Sequence, residues 1–483
     1  MKSVEKTGLM LLMLALLIGL CAVACGDDST DVTDGDTETA DGDNVESDAD
    51  ATDGDEVDGD VDVAGGDEET AVDGDSETVE NDSDAITEEI LPFLPAGPET
   101  APDPMAAGPF PVGVKTFDFY DESRPDKDTG NPRWLRTDIW YPATQAFKDG
   151  PFEPIDLAAE GQAVPDLPQD IKDALAASSI QPIPVNQVRD ADIDRSHGPY
   201  PVLLFSHGAN GIRWQSVFYT LHLASHGYIV VSCDHENNVM WDLLKEGFAS
   251  DATAVSASIR PVDMSFLLDR VTEFNNEEGN FFQGMADLDN VGISGHSLGG
   301  LTSIITPCQD SRIKVTVPHS PVIGIGMFIG GCSSDYPVPT MIMGGTDDQT
   351  LPWCQMYCDY KNMMDADIRY MYELVGGGHY TFSDICRLDL LTLSEEIDLG
   401  SNAEDALTDG CGENNVPFEK GHQTINHYAT AFLNWILRGS PASEDYLIDR
   451  EEDPFDTVNF YKGDVEDWWG DEGGCDSCQG GMK

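Results

Sequence analysis

Positive charge is what this sequence has least of: 25 Lys and Arg stand against 90 Asp and Glu, a net charge of −65 over 483 residues. A chain so poor in cations is repelled by every polyanion it approaches, which excludes nucleic acid as a partner and rules out charge as a route to anionic lipid. Between Gly26 and Ile90 the shortage is complete, with about 28 acidic side chains and no Lys or Arg. Long apolar runs are scarce as well. Leu9 to Leu20 is too short to span a bilayer comfortably, so no membrane-spanning helix is expected from it. Metal-binding patterns are also missing. No second cysteine pair of metal-like spacing accompanies Cys475 and Cys478, which argues against zinc. No acidic stretch has the spaced carboxylates, central glycine and closing glutamate of an EF-hand, which leaves only diffuse cation condensation. No metal and no cofactor is expected.

What is present at the N-terminus reads as an export signal over residues 1–24: Lys2 and Lys6, then the apolar run, then Ala22, Val23 and Ala24 before Cys25. Small residues followed by cysteine resemble the lipobox of bacterial lipoproteins, which implies lipidation of Cys25 and attachment to a membrane; alanine stands at the place where leucine is usual. The alternative is a secreted protein cut near Ala24. Nine further cysteines, all after Ser232, suit an oxidising compartment. One sequence-local set of pairs is Cys308 with Cys332, Cys386 with Cys411, Cys354 with Cys358 and Cys475 with Cys478, though spacing alone does not fix the connectivity. Cys233, inside the apolar run YIVVSCDH, is left as the free thiol.

Residues 25–103 read as a lipidated N-terminus and an acidic tether, closing in a Pro-rich linker from Ile90 to Met105. Low hydrophobicity and like charge cannot offset the entropy of ordering. About 70 flexible residues reach on the order of 45 Å, enough to hold a domain clear of the surface that anchors it. Residues 104–440 change character. RTDIWYPA and YPVLLFSHG read as strands, WQSVFYTLHLASHG as a helix ending at glycine, and YIVVSCDH as a β-branched strand. SIRPVDMSFLLDRVTEF is a helix, LDNVGISGHS a strand entering a turn, LGGLTSIITP a helix, VPTMIMGG a strand, and NHYATAFLNWILRG a closing amphipathic helix. Strand and helix in alternation predict an α/β domain, a mostly parallel sheet covered on both faces. Thr144 to Ser196 reads as a polar excursion with one helical patch, PQDIKDALAASS, and 441–483 as an acidic, cysteine-containing tail on the surface.

The chemistry centres on VGISGHSLGG, Val291 to Gly300. Serine is a poor nucleophile at neutral pH and needs a base, an orienter for the base and donors for the oxyanion. Ser297 falls at a strand-to-helix corner between Gly295 and Gly299, where side chains would obstruct so tight a bend. FSHGANG follows an earlier buried strand and can aim the N–H of Ala209 at the point the N–H of Leu298 faces. VPTMIMGGTDDQ offers a carboxylate just after a strand; Asp348 is preferred and Asp347 is the alternative. Of the histidines beyond it, His379 follows a strand and three glycines. His422 lies just before the closing helix pattern and His427 inside it, where solvated or packed roles are expected. Trp214, Met240, Trp241 and His296 are candidates by position to line the cleft, Trp214 and His296 foremost, with a hydrophobic-core role the equal alternative for each aromatic. Asp234, His235 and Glu236 end a strand near the same edge, where hydrogen-bonding roles are expected.

Taken in order, GPFPVGVKTFDFYDESR, IWYPA, FSHGANG, LASHGYIVVSCDH, RPVDM, GISGHSLGG, GGTDD and GGGHYTFSD resemble the α/β-hydrolase superfamily, from about Gly108 to Gly439. They are most similar to the bacterial predicted dienelactone hydrolases, the platelet-activating factor acetylhydrolases and the polyester-degrading cutinases. The resemblance implies a metal-independent serine esterase. Dienelactone hydrolase proper uses cysteine where this chain has Ser297. In the acetylhydrolase branch the acid follows the preceding strand, and KVTVPHSPVIG has no Asp. The expected activity is therefore an exported, monomeric ester hydrolase with Ser297, His379 and Asp348 as triad, acting on a small-molecule or lipid ester. The alternatives are a lipase, phospholipase or polyesterase of the same fold, a peptidase, and a non-catalytic surface binding module.

Overall fold

In the computed structural model, residues 90–125, 130–246, 250–388, 396, 409–448 and 458–462 are described. The signal, Cys25, the acidic tether and the pair Cys475 and Cys478 lie outside the described residues.

Among the described residues ten strands form one sheet: β1 (Val112–Pro125), β2 (Pro132–Pro142), β3 (Gln187–Arg189), β4 (Tyr200–Ser206), β5 (Ile229–Cys233), β6 (Ala286–His296), β7 (Ile313–His319), β8 (Thr340–Gly345), β9 (Arg369–Leu374) and β10 (Val458–Lys462). Their spatial order is β10-β9-β8-β7-β6-β4-β5-β2-β1-β3. The pairings among β5, β4, β6, β7, β8 and β9 are all parallel. The β1–β2 hairpin joins antiparallel at one edge, through β2 on β5, and β10 at the other.

The parallel strands read as unbroken apolar runs because both faces are covered. In β4, Leu203 and Phe205 point to one face, where they pack with Val217, Tyr219 and Leu223 of a helix (α3, below) and with Ala429, Phe432 and Leu433 of the closing helix. Val202 and Leu204 point to the other, against Met264, Leu267 and Leu268. The period of two along the strand decides this division. The helices, in chain order, are α1 (Leu157–Ala163), α2 (Gln169–Ala177), α3 (Val217–Ser225), α4 (Met240–Glu246), α5 (Ser250–Asn276), α6 (Leu298–Gln309), α7 (Ile323–Gly330), α8 (Trp353–Met363) and α9 (Phe418–Leu437). The chain runs outward to β5 and then crosses to β6 on the other side of β4. The carboxyl ends of β4 and β6 thus border the crevice where such sheets place their sites.

Three stretches depart from the sequence reading. The Pro-rich stretch expected to be a linker is packed from Pro95 onward. Ala96 is buried, its carbonyl accepts from Arg438 Nε, and Thr100 and Ala106 carbonyls accept from Ser440 Oγ and His226 Nε2. The excursion carries a helix the periodicity did not reveal, α1, capped by the Asp156 carboxylate accepting from the Ala158 and Ala159 N–H groups. Leu157, Val164, Leu167 and Leu175 of this excursion share a core cluster with Ile212, Trp214, Met240 and Trp241, so it roofs the loops after β4 and β5. The tail adds β10 to the sheet, where an unpaired covering on the surface was expected.

Two disulfides join the pairs expected, Cys308–Cys332 and Cys386–Cys411. Cys354 and Cys358 are disulfide-bonded as well, and Cys233 is a buried free thiol.

Candidate active site

The corner between β6 and α6 shows why GHSLG needs its glycines. A Cβ on Gly299 would lie 1.8 Å from the Ser206 carbonyl oxygen, and one on Gly295 would lie 2.3 Å from the Gly299 oxygen. Helix α6 therefore starts directly against the end of β4, which no side chain there would allow. The turn throws Ser297 into a strained backbone, φ 57° and ψ −116°, outside the regions an L-residue favours. Its N–H is spent on the His319 carbonyl at 2.9 Å, and its side chain remains partly exposed.

After β9, the glycines of Gly376–Gly378 lead into a turn of 3-10 helix, His379–Phe382, that carries His379. Its Nδ1 lies 2.9 Å from Asp348 Oδ2, both groups buried. Asp348 cannot swing away, because its other oxygen accepts from the Thr350 and Leu351 N–H groups at 3.0 and 2.6 Å. An ionised carboxylate only accepts, so His379 Nδ1 carries the proton and Nε2 keeps its lone pair. Asp347 is exposed and takes the Thr346 hydroxyl. No hydrogen bond joins Ser297 Oγ to His379 Nε2 among the described residues; contacts of this kind often tighten only when substrate arrives.

The loop after β4 faces this corner. A Cβ on Gly208 would lie 3.5 Å from Ser297 Cβ. The N–H groups of Ala209 and Leu298 have no acceptor among the described residues, as donors awaiting a ligand oxygen would.

A chain of neutral hydrogen bonds ties the loop to the histidine. Gly208 N–H donates to Gln215 Oε1 at 3.0 Å, Gln215 Nε2 to His296 Nδ1 at 2.8 Å, and His296 Nε2 to the His379 carbonyl at 2.9 Å. This sequence of donors fixes His296 as the neutral Nε2–H tautomer. Burial, then the neighbouring His379 and His319, push its pKa well below the ordinary histidine value. Both Trp214 and His296, expected to line the cleft, are buried beneath it, as are Met240 and Trp241. His422 stacks on Phe218 and donates to the Ser383 carbonyl, while His427 faces the Tyr446 carbonyl.

Asp409 is a site residue the sequence reading missed. Its Oδ1 accepts from the His379 N–H at 3.1 Å; its Oδ2 accepts from the Gln349 and Thr350 N–H groups and from Thr350 Oγ1 at 2.8 Å. Its carbonyl takes the Tyr380 N–H. One buried carboxylate thus joins the loop of Asp348 to the loop of His379, and the Cys386–Cys411 disulfide holds its own segment close by. Nothing local marks it, because every partner is distant in sequence. Asp409→Ala is expected to cost ~1–3 kcal/mol of stability, since the buried His379 N–H loses its acceptor together with the more exposed donors of Gln349 and Thr350, and to lower kcat by ~10-fold by loosening the base. Thermal unfolding and kcat of the variant check both.

A second Ser–His–Asp arrangement lies below the first. Ser206 Oγ is 2.9 Å from His235 Nε2, and His235 Nδ1 is 2.8 Å from Asp263 Oδ2. Side chains of all three are sealed from solvent. Arg133 holds Asp263 with two bonds of 2.7 Å and Arg124 adds a third of 2.6 Å. Burial alone would raise the Asp263 carboxyl, but the bonds from Arg133 and His235 outweigh it and hold it well below the usual range. Burial pushes His235 down to about 3. An ester cannot reach Ser206, so this is a brace for the sheet end. Asp234 likewise pairs internally, with Arg213, which also binds Asp138 and Glu160. Among the described residues no cluster of His, Cys, Asp and Glu could hold a metal ion, and no helix is long and apolar enough to cross a membrane.

Two family models match: PET hydrolase-like over residues 210–390, and platelet-activating factor acetylhydrolase, isoform II, over residues 104–245. Over 145 residues the chain is 30% identical to a chlorophyllase type 0 from Chenopodium album, a stretch that covers 30% of this chain and 39% of that protein. The chain thus spans about two fifths of the length of that curated relative. The structure of a ferulic acid esterase from Streptomyces cinnamoneus superposes with a TM-score of 0.52 at 20% identity, covering 76% of this chain and 98% of that one. The two share a fold.

Proposed function

We propose that this chain, which belongs to the α/β-hydrolase superfamily, is a serine hydrolase that cleaves carboxylic esters through an acyl-enzyme on Ser297. The observation that carries this reading is the strained Ser297 at the β6–α6 corner, set on the same sheet edge as the His379–Asp348 pair and the two free N–H groups.

In the proposed reaction His379 Nε2 takes the Ser297 proton as the hydroxyl attacks the ester carbonyl. Asp348 holds the ring in that tautomer and stabilises the imidazolium that forms. The carbonyl oxygen, now an oxyanion, is received by the N–H groups of Ala209 and Leu298. His379 returns the proton to the leaving alcohol, then activates the water that releases the acid. Trp214 and His296 form the floor under the substrate and hold the loops in place.

The PET hydrolase-like match over residues 210–390 favours a second reading within the same chemistry, a polyester as substrate, and the platelet-activating factor acetylhydrolase match over residues 104–245 supports a lipid ester. Export is part of the proposal. Disulfides Cys308–Cys332 and Cys386–Cys411 suit an oxidising compartment, and lipidated Cys25 with the acidic tether would hold the domain at a membrane surface.

A fluorophosphonate probe tests the reading directly. The full chain should be labelled at one residue, Ser297, and Ser297→Ala should take up none. Labelling that persists in the variant, or a folded wild type that takes up no probe, would overturn it.

A further inference from the structure

Arg260 lies on α5, wholly buried, behind the loop that faces Ser297. Its Nη1 donates to the His207 carbonyl, and its Nη2 to the Gly208 carbonyl at 3.1 Å and to Asn238 at both the carbonyl, 3.2 Å, and Oδ1, 2.5 Å. Among the described residues it makes no ion pair. The carboxylate one turn along the helix, Asp263, is taken by Arg133, Arg124 and His235. A buried guanidinium without a counter-ion is costly to keep; burial draws its pKa down to about 9. Stability alone gives no reason for such a group.

The geometry supplies one. The Gly208 carbonyl accepts from three donors: Arg260 Nη2, His207 Nδ1 at 2.7 Å and Gly211 N–H at 3.1 Å. In a planar trans peptide the carbonyl of one residue and the N–H of the next point in opposite directions. Pulling the Gly208 oxygen back toward Arg260 therefore turns the Ala209 N–H the other way. The Gly208 side of this peptide abuts Ser297 and His296. A positive charge at the oxygen end also polarises the peptide, making its N–H a stronger donor in a site shielded from water.

We propose that Arg260 is the positioning residue of the oxyanion hole, aiming the Ala209 N–H at the oxygen of the tetrahedral intermediate. This rests on the esterase reading above, since it assigns the hole to that reaction. The motif RPVDM contains this arginine, yet sequence alone does not connect it with a loop some 50 residues earlier.

The test uses the full chain with Arg260→Lys, assayed on a small ester and against a trifluoromethyl ketone, which becomes an oxyanion adduct on the serine. Lysine keeps the charge but cannot reach all of the carbonyls. The expected result is a kcat lower by ~10–100-fold with KM changed by under ~3-fold, and ketone affinity lower by the same factor as kcat. A non-reactive substrate amide should bind as before. If kcat stays within ~3-fold of wild type, or if ketone and amide lose affinity together as in a general loosening, the proposal is overturned. Asn238→Ala covers the case in which Arg260→Lys does not fold. It leaves the arginine and frees one of its donors from Oδ1, and it should show the same split at ~3–10-fold; unchanged kcat there overturns the proposal too. A wild type that neither turns over esters nor takes up the fluorophosphonate marks failure of the esterase reading itself, and this inference falls with it.

Discussion

Ser297→Ala and His379→Ala are each expected to lower kcat on a small ester by ~10⁴-fold or more, and the double variant by no more than either alone. The two side chains act on one proton. Without the imidazole the hydroxyl is not a nucleophile at neutral pH; without the hydroxyl the imidazole has no proton to take, so the second loss removes nothing that remains. What survives is the contribution of the Ala209 and Leu298 N–H groups and of substrate binding, ~10³-fold over water. Asp348→Asn should come close to the single variants. An asparagine amide offered to His379 Nδ1 favours the tautomer with Nε2 protonated, which cannot accept from serine. Single-turnover kinetics of the three single variants and the double variant decide the matter. Multiplicative losses would mean that serine and histidine serve separate steps, and the proposed triad would be wrong.

The residues of the proposed triad carry local marks in the sequence because each stands just past a strand. Glycines flanking Ser297, two acids after VPTMIMGG and three glycines before His379 are local marks of a sheet edge, and the structure sets all three at that edge. The choice of Asp348 over Asp347 needed more than locality. One is buried against the imidazole and the other is exposed, a difference set by which way a single turn faces. Asp409 and Arg260 left no local mark at all. Asp409 works through residues 349, 350 and 379, and Arg260 through residues 207, 208 and 238, all joined by the fold rather than by the chain. The parallel sheet was readable from alternation of strand and helix. The packed Pro95–Ala106 stretch was not, because proline-rich composition reads as linker, and the carbonyls it offers to Arg438, Ser440 and His226 carry no composition signal.

Mild acid is expected to destabilise this domain severely, well before its carboxylates titrate. His207, His226, His235, His296, His319 and His422 are buried, and burial is the first cause that pushes each below the ordinary histidine value, to about 4 for His226 and about 3 for His235 and His319. In the unfolded chain the same residues take up protons near pH 6.5. Between about pH 6.5 and the depressed folded values, the unfolded state binds more protons than the folded one, so stability rises with pH across that window. It is fully present above pH 6.5 and is lost as pH falls. Each such histidine costs about 1.4 kcal/mol per pH unit below its unfolded pKa. His226, His235 and His319 alone remove about 4 kcal/mol by about pH 5.5, against a total of roughly 5–15 kcal/mol for a folded domain. Asp234, pushed by burial up to about 6, and Asp359, raised by burial, act in the opposite sense, but they are two against six. Ordinary carboxylates protonate near pH 4, below this range. Relief of the −65 net charge therefore comes too late to compensate. Urea unfolding from pH 7.5 to 5 reads this out as a falling midpoint, steepest below pH 6.5. A flat midpoint across that range would mean that these histidines are solvated or already charged in the fold. The hydrogen-bond chain through a neutral His296, on which the position of His379 depends, would then have to be abandoned.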